Sequence, residues 1–238
     1  MFSVIDDSAR RWLLALSAPM VAINAGSGAA YDCDQFYPFD TRVDLNGSWG
    51  IDSREQLFEM ILRMIDNGHA EDLAHYFRLW HRLSLTEWQD YVAHQTPDVQ
   101  AKLALVADSA VMCGDGGIRA WDLARMGFLC RIGLLNGWIT PSENLWFHSR
   151  LGVRARYYYS SWQHYNAGFI IGRLYWQSLN ASDADARRYA FSGDAGSTTN
   201  IELMRQLYTH PESPISQLPW HIDVPEMDKP ESLPEMDL

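Results

Sequence analysis

Charged residues set at helical spacing inside aromatic faces are where this sequence could do chemistry. Projected at about 100° per residue, Ile118–Leu135 gathers Trp121, Leu135, Phe128, Ile132, Ile118 and Leu129 on one side, with Arg125 in their middle. Asp122 stands one turn before Arg125, and Arg131 lies at the edge of the same face. In Ser161–Leu179, the residues Trp162, Tyr165, Phe169 and Trp176 share a face that also holds Arg173. In a helix expected from Thr140, Glu143 and Arg150 fall on the side of Trp146 and Phe147. An unpaired buried charge is too costly to persist. These groups must therefore pair with one another, sit in a solvated cleft, or meet a ligand. Interhelical ion pairs stacked on Trp faces, Asp122 or Glu143 with Arg125 or Arg173, satisfy the first condition. The excess of Arg125, Arg131 and Arg173 over Asp122 and Glu143 suits the third. Guanidinium groups would grip a carboxylate or phosphate between walls of Trp121, Trp162, Tyr165 and Trp176.

Other signals are weaker. His75 and His81 are six residues apart and fall on different faces of a helix, so they are no helical metal pair. His69-Ala70-Glu71 is half of a deaminase signature, without the Pro-Cys-x-x-Cys that completes it. Cys113-Gly-Asp-Gly-Gly117 precedes a helix start, where anions can bind. It lacks the Walker lysine, follows no strand and carries Asp115, so it reads as a helix stop followed by a cap. Asp32, Asp34, Asp40 and Asp44 lie in Tyr31–Gly50, but their spacing is not that of a calcium loop. No GxSxG, HExxH or Cys/His/Asn pattern is complete. No metal, cofactor or catalytic residue is expected.

The elements that must position these groups read as helices. Capping boxes are expected at Ser53…Gln56, Thr86…Gln89, Thr140…Glu143, Ser160…Gln163 and Thr199…Glu202. Pro97 and Pro141 suit the first helical position, and Gly68, Gly114 and Gly137 suit helix stops. Leu57, Met60, Ile61, Met64 and Ile65 form an apolar stripe. Leu73, Tyr76, Phe77 and Trp80 form a second, and Val99, Leu103, Val106 and Ala110 a third. Gly168 and Gly172 lie on one side of their helix, where another backbone could come close. No convincing run alternates as a strand, so the fold class is mainly α. Tyr31–Gly50 reads as a long ordered loop, with room for a short hairpin. Arg10 and Arg11 before the apolar Trp12–Ala30, with Gly28-Ala29-Ala30 as a cleavage site, resemble a targeting segment. Asp6 and Asp7 offset the arginines and Pro19 and Asn24 interrupt the run, so a first helix with Trp12, Leu13 and Leu16 buried is the better reading.

The 238 residues include ten Trp and carry a net charge of −11, with 47% hydrophobic residues. That composition excludes a disordered chain and a disulfide miniprotein. A negative surface disfavours nucleic acid and anionic membrane and favours a basic partner. Cys33, Cys113 and Cys130 are far apart and fit free thiols in a reducing cytoplasm. From Pro211 the composition shifts. Six of the ten prolines fall there, and Pro-Glu-Met-Asp occurs at both 225–228 and 234–237. Six of the eleven net negative charges also lie in this stretch. The expected organisation is a single helical domain, residues 1–210, and an acidic Pro-rich tail, 211–238, whose apolar residues are Leu218, Trp220 and Ile222.

Ile118-Arg-Ala-Trp-Asp-Leu-Ala-Arg125, Arg131, and Gly137-Trp-Ile-Thr-Pro-Ser-Glu143 with Trp146 resemble the signature of a bacterial family, domain of unknown function 1266. Ser161-Trp162, Gly168 and Gly172-Arg173-x-x-Trp176 are similar to its second block, and Trp49-Gly50-Ile51 with Gly68-His69 to its N-terminal block. The resemblance covers most of residues 8–180 and leaves the tail outside. It implies a compact helical bacterial protein and supplies no activity, substrate or cofactor. The leading functional expectation is a cytoplasmic protein–protein interaction role, such as a toxin-neutralising (immunity) or secretion-associated accessory, rather than an enzyme. The alternative is an enzyme or sensor for an anionic small molecule. Oligomeric state is not written in the sequence.

Overall fold

The computed structural model describes residues 5–25, 31–34, 36–37, 42–185, 194–236 and 238. Gly28, Ala29, Ala30 and Asp40, which figured in the expectations above, lie outside the described residues. Among the described residues the helices are α1 (Asp7–Ala15), α2 (Ala18–Ala25), α3 (Asn46–Trp49), α4 (Arg54–Asn67), α5 (Glu71–Trp80), α6 (Leu85–Ala93), α7 (Pro97–Cys113), α8 (Arg119–Leu135), α9 (Pro141–Tyr158), α10 (Trp162–Ser178), α11 (Asp194–Thr209) and α12 (Pro214–Gln217). A 3-10 turn spans Gly114–Gly116. Among the described residues there is no strand, only an isolated bridge between Leu45 and Ile51 that closes around α3. The protein is mainly α, and among the described residues no helix is long and apolar enough to cross a membrane.

Helix starts follow local hydrogen-bond chemistry, with shifts from the expected positions. Thr140 and Glu143 form the reciprocal box: the Glu143 carboxylate accepts from Thr140 N–H at 2.7 Å and Thr140 Oγ1 from Glu143 N–H at 3.3 Å. At α4 the box is split, because Ser53 Oγ accepts from Gln56 N–H while the Gln56 side chain takes the Asp52 N–H. α6 is capped two residues before Thr86, by a complete Ser84–Glu87 box. α10 is capped by Ser161, one residue after the expected Ser160. Thr199 lies inside α11, which begins at Asp194.

Contacts divide the chain into two compact units. The first comprises residues 1–66, 123–157 and 203–238; the second comprises 67–122 and 158–202. In the first, Trp12, Leu13 and Leu16 are fully buried, as expected of a first helix, together with Leu57, Ile61, Leu129, Ile132, Phe147 and Leu151. Gly152 of α9 faces α1, since a Cβ there would stand 2.8 Å from Leu13 Cδ2. Residues 203–238, on both sides of the composition change at Pro211, belong to this unit. Trp220 is buried and meets Trp12 edge to face at 5.3 Å, so the apolar anchor of the tail docks on the chain's own core.

The second unit packs α5, α6, α7 and α10 around Leu73, Phe77, Trp88, Leu103, Val106, Ala110, Ile118 and Tyr175. Gly168 provides the close approach its position suggested. A Cβ there would lie 2.6 Å from Gly117 O and 2.7 Å from the Tyr159 hydroxyl, and a Cβ on Gly172 would strike Trp121. The Cys113–Gly117 loop is a helix stop: Gly114 has φ of 60° and Gly117 of 54°. Its close packing is with Tyr159, whose hydroxyl donates to Gly117 O at 2.9 Å and accepts from Ala120 N–H at 2.8 Å.

Candidate functional site

The five expected charged residues fall in both units. Arg125, Arg131 and Glu143 belong to the first unit, Asp122 and Arg173 to the second. Arg131 is fully buried. Its guanidinium donates to Tyr31 O at 2.9 Å, to Ser17 Oγ at 3.2 Å and to Cys33 O, with its plane over Phe36. Burial pulls its pKa down to about 9, and it stays charged at neutral pH. Arg131 thus fastens the Tyr31–Asp34 segment by its backbone. The acids of that segment take other partners: Asp32 pairs with Arg11 at 2.5 Å, and Asp34 with Arg10 and with Asn144 Nδ2 at 2.9 Å. Beside Asn144, His148 is completely buried, with Nδ1 on Asn144 O at 2.8 Å. Desolvation lowers its pKa to about 4, so it is neutral at pH 7.

Glu143 meets an arginine that the sequence reading did not single out. Arg54 at the start of α4 makes a two-pronged pair with it, at 2.7 and 3.0 Å, and also donates to Trp138 O and Ser232 O. Ser232 Oγ donates to the same carboxylate at 2.7 Å. The Arg54 hydrogen bonds lead the stabilisation of the charged form and hold the Glu143 pKa down to about 2, against its burial. Glu143 is therefore at once helix cap, ion-pair partner and anchor for residue 232. Arg54 immediately follows the expected Ser53 cap, but spacing alone does not join residues 54 and 143. Arg125 lies over the Trp49 ring at 4.7 Å.

In the second unit, Asp122 is buried and accepts from Ala70 N–H at 2.8 Å, with His69 Nδ1 3.5 Å away. It thereby caps α5, whose own Ala70 has no side-chain oxygen to do so. Glu71 pairs with Arg119 at 2.7 Å. Arg173 donates to Asn200 Oδ1 at 2.6 Å, and burial lowers its pKa. Trp121, Trp162 and Tyr165 are buried among aromatic neighbours, Trp121 against Phe169 at 5.2 Å and Trp162 against Tyr165 at 6.1 Å. Trp176 is 44% exposed and tilts against Trp121 at 5.6 Å.

A groove of about 340 Å³ lies wholly in the first unit, beside α9. Its walls include Trp12, Ser149, Arg150, Val153 and Arg156 on one side and Val224–Met227 on the other. Val153 and Tyr157 lie four apart on one side of α9. They are 59% and 82% exposed. The opposite wall is held in place by Arg156, which donates to Ile222 O at 2.7 Å and stacks over Trp12 at 4.3 Å. Val153 and Tyr157 share the helix side of Trp146 and Arg150 at i+7 and i+11 from Trp146, and spacing alone does not show that this side, buried at Trp146, is open at Val153 and Tyr157.

Comparison with known proteins places this chain. The profile of a family described as a protein of unknown function, DUF1266, matches residues 44–220. The uncharacterized protein YbeU of Escherichia coli (strain K12) is 41% identical over 208 residues, 87% of this chain and 88% of the relative. The uncharacterized protein YbeR of the same organism is 39% identical over 216 residues, 91% of this chain and 92% of the relative. The chain belongs to the DUF1266 family. No solved structure matches it. The DUF1266 match starts later and runs further than the resemblance over residues 8–180 implied, reaching Trp220. It contains all five expected charged residues, Arg54 and the whole of α9. The 224–227 wall of the groove lies beyond the DUF1266 match.

Proposed function

We propose that this DUF1266 protein works by binding another protein through the outer face of α9. The observation that carries the reading is the exposure of Val153 and Tyr157 beside the α9 groove. Large apolar side chains presented together next to a concavity are characteristic of recognition surfaces, and Tyr is enriched among residues that dominate binding energy. A net charge of −11 discourages nucleic acid and anionic membrane as alternative partners. The free thiol of exposed Cys33 fits a reducing cytoplasm as the place of action. Within the interaction class, a toxin-neutralising or secretion-associated accessory role is the form we favour. A small-molecule anion site receives less support, because Arg131 is sealed and Arg54 directs its four terminal N–H groups to Glu143, Trp138 O and Ser232 O.

Affinity purification from the native host tests this. The wild-type chain is compared with a Val153→Glu/Tyr157→Glu variant, with circular dichroism to confirm that both are folded. The expected result is a stoichiometric partner retained by the wild type and lost from the variant. A folded variant that keeps the same partner, or a wild type that captures none, would overturn the reading.

A further inference from the structure

The segment that follows Trp220 is fastened to the first unit through its backbone. Arg156 donates to Ile222 O at 2.7 Å, Arg54 to Ser232 O at 3.0 Å, and Arg150 Nε to the backbone oxygen of Leu238 at 2.9 Å. Leu233 and Leu238 are buried. What remains outward is acid. Asp223, Glu226, Asp228 and Glu231 are all exposed, at separations of three, two and three residues. Lys229, the segment's one lysine, is taken by Glu235 at 3.0 Å. Asp223 is near enough to Arg156 to favour its charge, whereas Glu226, Asp228 and Glu231 have no cationic partner among the described residues. A free acidic tail would average its charge over many positions. A fastened one holds its carboxylates in a fixed order, which is what gives charge complementarity its selectivity. Glu226 itself lines the groove, where Val153, Pro225 and Met227 supply the apolar wall.

We infer that this face receives a basic segment of another protein. That segment carries Lys or Arg at the spacing of the four carboxylates and an aliphatic side chain for the groove. The inference rests on the interaction reading above and specifies the partner's chemistry. Arg150 and Arg156 in the groove do not reverse the sign of the surface. Each is turned to a backbone oxygen of the segment, and Arg156 has Asp223 beside it.

A labelled nonapeptide with lysine at its first, fourth, sixth and ninth positions and aliphatic residues between them is the probe. Fluorescence anisotropy on the full chain is the readout. The expected result is saturable binding that weakens with salt, falls at least about tenfold with Glu226→Lys/Asp228→Lys, and falls about threefold or more with Val153→Ser. Both sets of changes are at exposed side chains, and a thermal melt checks that the fold is kept. A peptide with glutamate in place of lysine should not bind. Equal binding by the charge-reversed variant, preference for the glutamate peptide, or no saturable binding up to about 1 mM would each overturn the inference. The two proposals fail separately. A native partner lost with Val153→Glu/Tyr157→Glu but kept by Glu226→Lys/Asp228→Lys sustains the interaction reading and removes the basic partner.

Discussion

The first unit buries a guanidinium, a carboxylate and an imidazole; the second buries one carboxylate, Asp122, and presses three glycines against aromatic rings and backbone. Arg131, Glu143 and His148 are each fully buried in the first. In the second, Gly168 meets Gly117 O, Gly116 meets Tyr159 and Gly172 meets Trp121. A polar interior is specified by hydrogen bonds and is sensitive to charge and pH. A glycine–aromatic interior is specified by volume and is sensitive to a single added methyl. The two units of one chain should therefore fail under different insults, and that contrast can be tested.

The largest effect is expected at Arg131. Arg131→Met removes the donor to Tyr31 O and Cys33 O and leaves those carbonyls under-satisfied, at a cost of about 3–5 kcal/mol in urea unfolding. Arg131→Lys should recover little, because an ammonium does not reproduce the guanidinium fork. A loss below about 1 kcal/mol would show that the buried network is not what holds this unit.

Acid should act on the first unit through two groups in succession. His148 has a folded pKa of about 4, below its ordinary 6.5, so the unfolded chain takes up the proton first. Its contribution is intact above about pH 6.5 and is lost as pH falls towards 4, up to about 3 kcal/mol. Glu143, held to about 2 against an ordinary 4.5, contributes above about pH 4.5 and is lost as pH falls towards 2, by a similar amount. Hydrogen exchange should show residues 123–135 and 141–157 losing protection between pH 7 and 4 while 97–113 is retained. His148→Gln should flatten the upper limb, and a limb unchanged in that variant would assign it to another group.

Volume is the test for the second unit. Gly168→Ala should cost about 2–3 kcal/mol, since the new methyl meets backbone oxygen rather than a movable side-chain end. Gly47→Ala, in the first unit with nothing within 4 Å, should be within about 1 kcal/mol of neutral. Equal effects at the two sites would remove the distinction. A small destabilisation is expected from Ser232→Ala, which deletes one donor to Glu143. It should cost about 1 kcal/mol and move the lower acid limb upward in pH, with no change in the limb of His148.

Several features were legible in the residues because their causes are local. The 3.6-residue stripes of α5 and α7 put Leu73, Phe77, Leu103 and Val106 in the core, as their spacing required. Thr140-Pro-Ser-Glu143 starts α9 because cap and first-turn proline act within four residues. Gly168 and Gly172 announced a close approach, although only the structure shows that Gly117 O and Trp121 are what approach. The charged candidates were legible as groups needing partners, not as pairs. Glu143 found Arg54, 89 residues away, and Arg131 found the backbone carbonyls of residues 31 and 33.

The sequence by itself determined a helical chain, its main apolar stripes, its acidic C-terminal segment and its membership of a family, because periodicity, capping chemistry and composition are carried by neighbouring residues. Only the tertiary structure decided which arginine serves which acceptor and that the acidic segment is fastened along α9 with its carboxylates outward. It also decided that Val153 and Tyr157 are left exposed. A guanidinium has several donors and many acceptors to choose from, and the choice is made by which backbone the fold brings within about 3 Å.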